Sequence, residues 1–328
     1  MPRVASTAWL GFLLGACVIA SLAGQSTACT VFKFDISGFA ANVRHLLLAY
    51  GVLSENGTIF LDNRNFPYKC TELGGWHDFF DSEPIIKEWT PKAEAAALDA
   101  PCRHVDKAGI AKIVDRIRIP WTQYEELAIS KAWVLRPWVA VEVSQHLAVL
   151  EAAAKPTIAL HIRGGDKVAE DQQEEIKRAT TFPEDYVETF VSRFPDVQGG
   201  TCIILGDDHA WVAEASRLAQ ERINCTLQPL SPFYRQEGHK QAQFNSLPYE
   251  ERCEQSMRLL TDMEIMAHAD YFVGTFNSGM PWMIDTMRHV LYGKHRSTMA
   301  DASIHHWDWY ERIREYYREY AEEQVACG

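Results

Sequence analysis

The chain has 328 residues, of which 47% are hydrophobic and 23% charged, and a formal net charge of −12 at pH 7. That is enough apolar material for one large domain or two ordinary ones around a substantial core. The acidic balance argues against nucleic acid or an anionic lipid surface as the principal partner, because both are gripped by basic surface.

Residues 1–28 carry Arg3 as their only charge, followed by an apolar run from Ala8 to Ala23 and then small polar residues. This is the pattern of a secretory signal peptide, with cleavage after Ala23 or Ala28. The alternative is a short membrane anchor, since the run approaches the ~20 apolar residues of a spanning helix. Passage through the secretory pathway makes the cysteines candidates for disulfides, and makes Asn56-Gly57-Thr58 and Asn224-Cys225-Thr226 candidate N-glycan acceptors. Outside the leader stand Cys29, Cys70, Cys102, Cys202, Cys225, Cys253 and Cys327. An odd set leaves at least one unpaired or bonded to another chain. No two of them form a CxxC pair, which argues against a zinc site.

In chain order, Val31 to Ile36 reads as a strand, Gly38 opens a loop, and Ala41 to Leu53 has helical spacing at Val43, Leu46, Leu47 and Tyr50. Thr58 to Asp62 reads as the next strand, which completes a βαβ unit with its loop at a strand's carboxyl end. The segment from Tyr68 to Pro120 reads as irregular. Beyond it, Thr157 to Ile162, Cys202 to Leu205 and Tyr271 to Gly274 are the continuous apolar runs of buried parallel strands. The helices between them are marked by Pro183 with the stripe Val187, Phe190, Val191 and Phe194, by Val212, Ala215 and Ala219, and by Leu259, Met263 and Met266. Alternating strand and helix predicts an α/β protein with Rossmann-like parallel sheets. Ser231 to Tyr249 reads as a polar loop, and Ile304 to Glu323 as a terminal helix packed across a domain boundary.

Ligand-capable residues gather at the ends of these strands. His161-Ile162-Arg163-Gly164-Gly165-Asp166-Lys167 leaves the first of the apolar strands. Arg163 suits bidentate binding of phosphate oxygens and Lys167 adds a point charge. The same residues would also make an arginine–aspartate salt bridge in a tight turn. Glu170, Asp171, Glu174 and Glu175 follow in a polar segment, where one carboxylate could serve as a general base and the others simply face water. Asp207 and Asp208 end the next strand and suit a ribose, the organisation of Arg163, or the capping of the following helix. Asp262 lies on a helix, in a position ordinary for a surface acid. Thr275, Asn277 and Ser278 end the last strand, where a phosphate or a helix cap would use them. Three successive strands finishing in polar residues on one sheet edge point to a single site.

These residues resemble the core α1,6-fucosyltransferase family, which includes the nodulation-factor fucosyltransferases. His161-Ile162-Arg163-x-x-Asp166-Lys167-Val168 is similar to the family signature H-V-R-R-T-D-K-V, and Leu135-Arg136-Pro137-Trp138 to the segment that precedes it. Ser37-Gly38-Phe39, Leu48-Ala49-Tyr50-Gly51 and Gly74-Gly75-Trp76 resemble the family's amino-terminal domain. The run from Ala269 to Ser278 resembles its A-D-F-x-V-x-T-F-S-S block.

The resemblance implies a GT-B-like pair of facing Rossmann-type domains: residues 29–150 on the acceptor side, 151–300 binding the donor, and 301–328 as a terminal helix after the leader. It also implies GDP-fucose as donor substrate, a glycan or glycoprotein acceptor, inversion at the anomeric carbon and no required metal or other cofactor, while residence in the secretory pathway is the expectation set by the leader. In that frame His161 and Asp262 contact guanine, and Arg163 and Ser278 the β-phosphate. Lys167 assists at the phosphate or the base, and the segment from Gly38 to Asn42 lines the diphosphate. Two positions depart from the pattern. The second arginine of the signature is Gly164, and the catalytic glutamate falls on Asp171, with Glu170 beside it. The alternatives are a protein hydroxyl as acceptor, or a sugar- or nucleotide-binding protein without transfer.

Overall fold

The computed structural model describes residues 30–53, 59–82, 86–89, 102–117, 121–165, 180–228, 239–276 and 278–303. The leader, the Asn56 sequon, the segment carrying Asp166, Lys167, Glu170 and Asp171, residue Asn277, and the stretch from Ile304 onward lie outside these residues.

The described chain divides into two compact units, one holding Asn42–Phe66 and Phe80–Val134 along with the first strand, the other holding Ser37–Ala41, Pro67–Phe79 and everything from Leu135. Residues 135–150, placed by the sequence reading in the first domain, pack with the second unit.

In the first unit, β1 (Thr30–Lys33) is followed by α1 (Phe39–Leu53), β2 (Ile59–Asp62), β3 (Ile86–Glu88), β4 (Arg103–Asp106), α3 (Lys107–Ile117) and α4 (Trp121–Ala132). The short α2 (Trp76–Phe79) belongs to the other unit. The strand order is β3-β2-β1-β4, all parallel, with Val31 opposite Phe60 and His104. The expected βαβ unit is present. The stretch read as irregular holds two further strands, β3 and β4, which are only three and four residues long. At that length they carry no periodic signal.

The second unit holds α5 (Pro137–Ala152), β5 (Thr157–Ile162), α6 (Pro183–Arg193), β6 (Thr201–Gly206), α7 (His209–Arg222) and β7 (Thr226–Leu227). These are followed by α8 (Gln241–Ser246), α9 (Tyr249–His268), β8 (Tyr271–Gly274), α10 (Gly279–Thr286), a π-helical turn Met287–Leu291 and β9 (Met299–Asp301). Its order is β7-β6-β5-β8-β9, again all parallel. Pro183 opens α6 because its missing N–H costs nothing at a first helical position. The Asp185 carboxylate accepts from the Phe182 N–H at 2.7 Å and closes the start of that helix.

Strand alternation sorts the core. Ile158, Leu160 and Ile162 of β5 and Cys202 and Ile204 of β6 pack with Tyr186, Val187, Phe190, Val212 and Ala215 of α6 and α7. Ala159 and His161, one residue out of phase, therefore face the opposite side of the sheet, where α9 contacts β5. On α6, Tyr186 is fully buried, whereas Val191, expected in the apolar stripe, is 37% exposed. On α9 the inward residue is Leu260, and its neighbour Leu259 is only half-buried. Cys202–Cys225 and Cys70–Cys253 are disulfides, and Cys102 is disulfide-bonded as well. By the chain-entropy argument a bridge closing a loop the size of Cys70–Cys253 is worth on the order of 5 kcal/mol.

Candidate functional site

The site lies at the carboxyl edge of the five-stranded sheet, where open parallel sheets present backbone ends and helix N-termini to ligands. Arg163 follows β5 directly. Its backbone N–H donates to the Tyr186 hydroxyl at 3.0 Å, and that hydroxyl reaches Thr275 Oγ1 at 3.5 Å, so one buried phenol links the ends of β5 and β8. Burial pushes the Tyr186 phenol up to about 12, against the opposing pull of Thr275 and Arg163, so it remains a neutral donor.

The Arg163 guanidinium pairs with Asp207, at the end of β6, and the other oxygen of Asp207 accepts from the Gly164 N–H at 2.7 Å. One carboxylate thereby fixes both the arginine and the turn that carries it. The side chain of Arg163 keeps 20% of its surface exposed, enough for an anion to reach it.

Two glycines make this turn sterically feasible. A Cβ at Gly164 would lie 2.8 Å from Asp208 Cβ and 3.3 Å from Trp211 Cδ2. One at Gly165 would lie 2.6 Å from Asp207 Oδ2 and 3.0 Å from the His239 carbonyl. Asp208 is the N-cap of α7, accepting from the Trp211 N–H at 3.1 Å.

On the other face of the sheet, His161 is 5% exposed and its buried Nδ1 has no hydrogen-bond partner among the described residues. Desolvation, helped by the Arg163 charge, depresses this imidazole to about 3, so it is neutral at any physiological pH. A buried polar atom without a partner is uncommon, which makes His161 Nδ1 a candidate ligand contact. Asp262, half-buried on α9, has its carboxyl raised to about 7 by desolvation, against the opposing charge of Arg258. Perturbation of this kind is characteristic of binding and catalytic acids.

Ser278 occupies the N-cap position of α10 without capping it through its side chain; its N–H donates to the Thr275 carbonyl at 3.1 Å. The start of α10 packs on the segment from Ser37 to Ala41, a Cβ at Gly279 lying 3.5 Å from that of Ala40. Gly38 approaches Gln241 Oε1, which also accepts from the Tyr68 hydroxyl at 2.9 Å, while Tyr68 stacks on Phe244 at 4.7 Å. The Cys70–Cys253 disulfide ties this strap to α9.

No family model matches the sequence, and no curated protein matches it. Among solved structures the chain is similar to POFUT1 in complex with GDP-fucose, with 13% identity and a TM-score of 0.50 over 85% of this chain and 98% of that one. It is similar also to an Arabidopsis thaliana FUT1 mutant in complex with GDP, with 9% identity and a TM-score of 0.48 over 84% and 73% of the two chains. NodZ alpha-1,6-fucosyltransferase soaked with GDP-fucose gives 12% identity and a TM-score of 0.45 over 79% and 92%. The fold is GT-B-like.

Within this GT-B-like frame the structure brings together Arg163, Asp207, Asp208, Thr275, Ser278 and Gly38 around one sheet edge, with His161 and Asp262 on the α9 side. Asn42 is engaged elsewhere. Its Oδ1 accepts from the Asp35 N–H at 3.1 Å and its Nδ2 donates to the Asp35 carbonyl at 3.2 Å, which holds the turn after β1. The carboxylate that pairs with Arg163 is Asp207, 44 residues away, which only the shared strand-end position made visible.

Sequence reasoning missed Tyr186, hidden within an apolar helical stripe, and Asp301, at the end of the three-residue β9. Asp301 accepts from the Phe276 N–H at 3.1 Å and the Ser303 N–H at 2.9 Å. Among the described residues no group of three or more His, Cys, Asp or Glu is placed to hold a metal, and no helix is long and apolar enough to cross a membrane.

Proposed function

We propose that this chain is a fucosyltransferase of the secretory pathway that passes fucose from GDP-fucose to a carbohydrate hydroxyl, with inversion at the anomeric carbon and α1,6-like regiochemistry. The observation that carries the reading is Arg163. Its guanidinium is oriented by Asp207, its backbone is fixed by Tyr186, and it is accessible at the strand-end site.

In the proposed reaction the acceptor oxygen attacks fucose C1 from the face opposite GDP, the bond from C1 to the phosphate oxygen breaks, and the acceptor proton passes to Asp171 or Glu170. Negative charge accumulates on the leaving diphosphate. A helix N-terminus such as that of α10 offsets typically ~0.3–1 kcal/mol of that cost, whereas a preorganised donor in a dry site is worth roughly 3–4 kcal/mol. Arg163 is therefore the principal stabiliser, with Ser278 beside it and Lys167 assisting. The neutral His161 ring offers Nδ1 to the base, and Asp262 accepts from guanine N–H groups. Gly38 lets the diphosphate approach the backbone, while Asp207 acts through Arg163.

The similarity to POFUT1 favours one second reading, a protein hydroxyl as acceptor. The replacement of the signature's second arginine by Gly164 suggests a third, a binding protein without transfer. The packing of Gly164 against Asp208 and Trp211 offers a steric reason for the change that leaves Arg163 untouched.

A donor and acceptor screen tests the proposal. Fucose should move from GDP-fucose to oligosaccharides, and no sugar should move from GDP-mannose or UDP-galactose. Transfer only to folded Ser/Thr-bearing proteins would establish the second reading, and GDP binding without turnover on any acceptor would establish the third.

A further inference from the structure

Across the Arg163–Gly165 turn from His161 lies an aromatic ledge. Phe182 is 57% exposed although it is among the largest apolar side chains on this unit, and it stacks on Trp211 with ring centroids 5.8 Å apart and planes tilted by 34°. Trp211 in turn lies against the backbone of Gly164, close enough that a Cβ there would come within 3.3 Å of the indole. The ledge is thus continuous with the turn that presents Arg163, yet it sits on the side of the sheet covered by α6 and α7. The orphaned His161 nitrogen and Asp262 belong to the α9 side.

The charges around the ledge decide what it suits. Among the described residues, Asp208 accepts from the Trp211 N–H and Asp185 from the Phe182 N–H, Glu184 and Glu188 of the same helix pair with Arg222, and Asp207 pairs with Arg163. Among the described residues carboxylates outnumber the arginines here, which disfavours a phosphate on the ledge itself, away from Arg163. An aromatic face also attracts the electropositive C–H groups of a saturated ring, and carboxylates accept hydrogen bonds from hydroxyls.

We propose that Phe182 and Trp211 form a subsite for a neutral sugar ring of the acceptor, stacked by its apolar face beside the turn that holds the donor phosphate. This rests on the transferase reading above and adds the place and the chemistry of the second substrate. Phe182 binds the ring, and Trp211 supports Phe182 while keeping the Gly164 backbone in position.

The test is a fluorescence titration of the full chain, saturated with GDP, with chitotetraose, cellotetraose and lacto-N-tetraose. At least one tetrasaccharide should saturate the signal. Phe182→Ala should weaken that binding about tenfold, the loss of one aromatic stacking contact. Phe182→Tyr should restore it, and the dissociation constant for GDP should stay unchanged in both variants. No saturable binding by any of the three, or binding unaffected by Phe182→Ala, would overturn the subsite. Tetrasaccharide binding that depends on Phe182 in a chain that does not bind GDP would keep the ledge and remove the transferase reading.

Discussion

The two edges of the five-stranded sheet both bury charge, and they do so differently. At the amino edge Arg288, 2% exposed, donates to the carbonyls of Met266, Ala269 and Asp270 at 3.2, 2.6 and 3.1 Å and to Thr298 Oγ1 at 2.9 Å. Beside it Asp270 accepts from the Thr157 N–H and hydroxyl, both at 2.9 Å, and from Lys294 at 3.2 Å. Desolvation pushes the Asp270 carboxyl up, but those hydrogen bonds outweigh it and hold the group below its usual range. The cluster ties α9, β5, β8 and the π-helical turn together. At the carboxyl edge the partners are arranged to point a group outward. Asp207 aims Arg163, Tyr186 fixes its backbone, and the His161 Nδ1 has no partner among the described residues. Saturation of partners, more than burial or charge, separates the scaffold from the site.

The largest stability effect should come from the saturated edge. Arg288→Ala leaves three carbonyls and the Thr298 hydroxyl without their donor, and should cost about 3–5 kcal/mol in denaturant unfolding. Arg163→Ala should cost far less, because Asp207 and the Gly164 N–H can still pair. Equal losses in the two variants would erase the distinction between the edges.

Arg163 and Arg288 also show where sequence reasoning reached and where it stopped. The positions of β5, β6 and β8 were legible because buried parallel strands are apolar without interruption, so Arg163, Asp207 and Thr275 stood out as polar residues at their ends. Arg288 follows α10 with no such marker, and nothing in its neighbours reveals that four acceptors converge on it. Tyr186 read as one more apolar position on α6, since only the fold brings its hydroxyl to Arg163 and Thr275. β3, β7 and β9 are two or three residues long and carry no periodicity, which is why Asp301 went unseen.

A pH titration sharpens the contrast within the site. Asp262, raised to about 7 in the folded chain, stabilises the fold at pH below its unfolded value near 4, and that contribution is lost as pH rises through 7. His161, depressed to about 3, acts in the opposite sense: its contribution is present above its unfolded value near 6.5 and is lost as pH falls toward 3. If Asp262 accepts from guanine, GDP affinity should rise severalfold between pH 6 and 8 as the carboxyl ionises. Asp262→Asn should flatten that profile; an unchanged profile would remove Asp262 from the nucleotide pocket.

The smallest effect belongs to Asp208. As a helix cap its replacement by alanine should lower stability by about 1 kcal/mol and change GDP affinity less than twofold. A tenfold loss of affinity with no loss of stability would move Asp208 from scaffold to site.

Calorimetric titration of GDP into the full chain and into Arg163→Ala, with the fold of each checked by circular dichroism, tests the central claim most directly. The account predicts micromolar binding by the native chain and at least a hundredfold loss in the folded variant, the scale of losing one preorganised donor to a diphosphate. Native-like binding by Arg163→Ala, or no binding by the native chain, would contradict it.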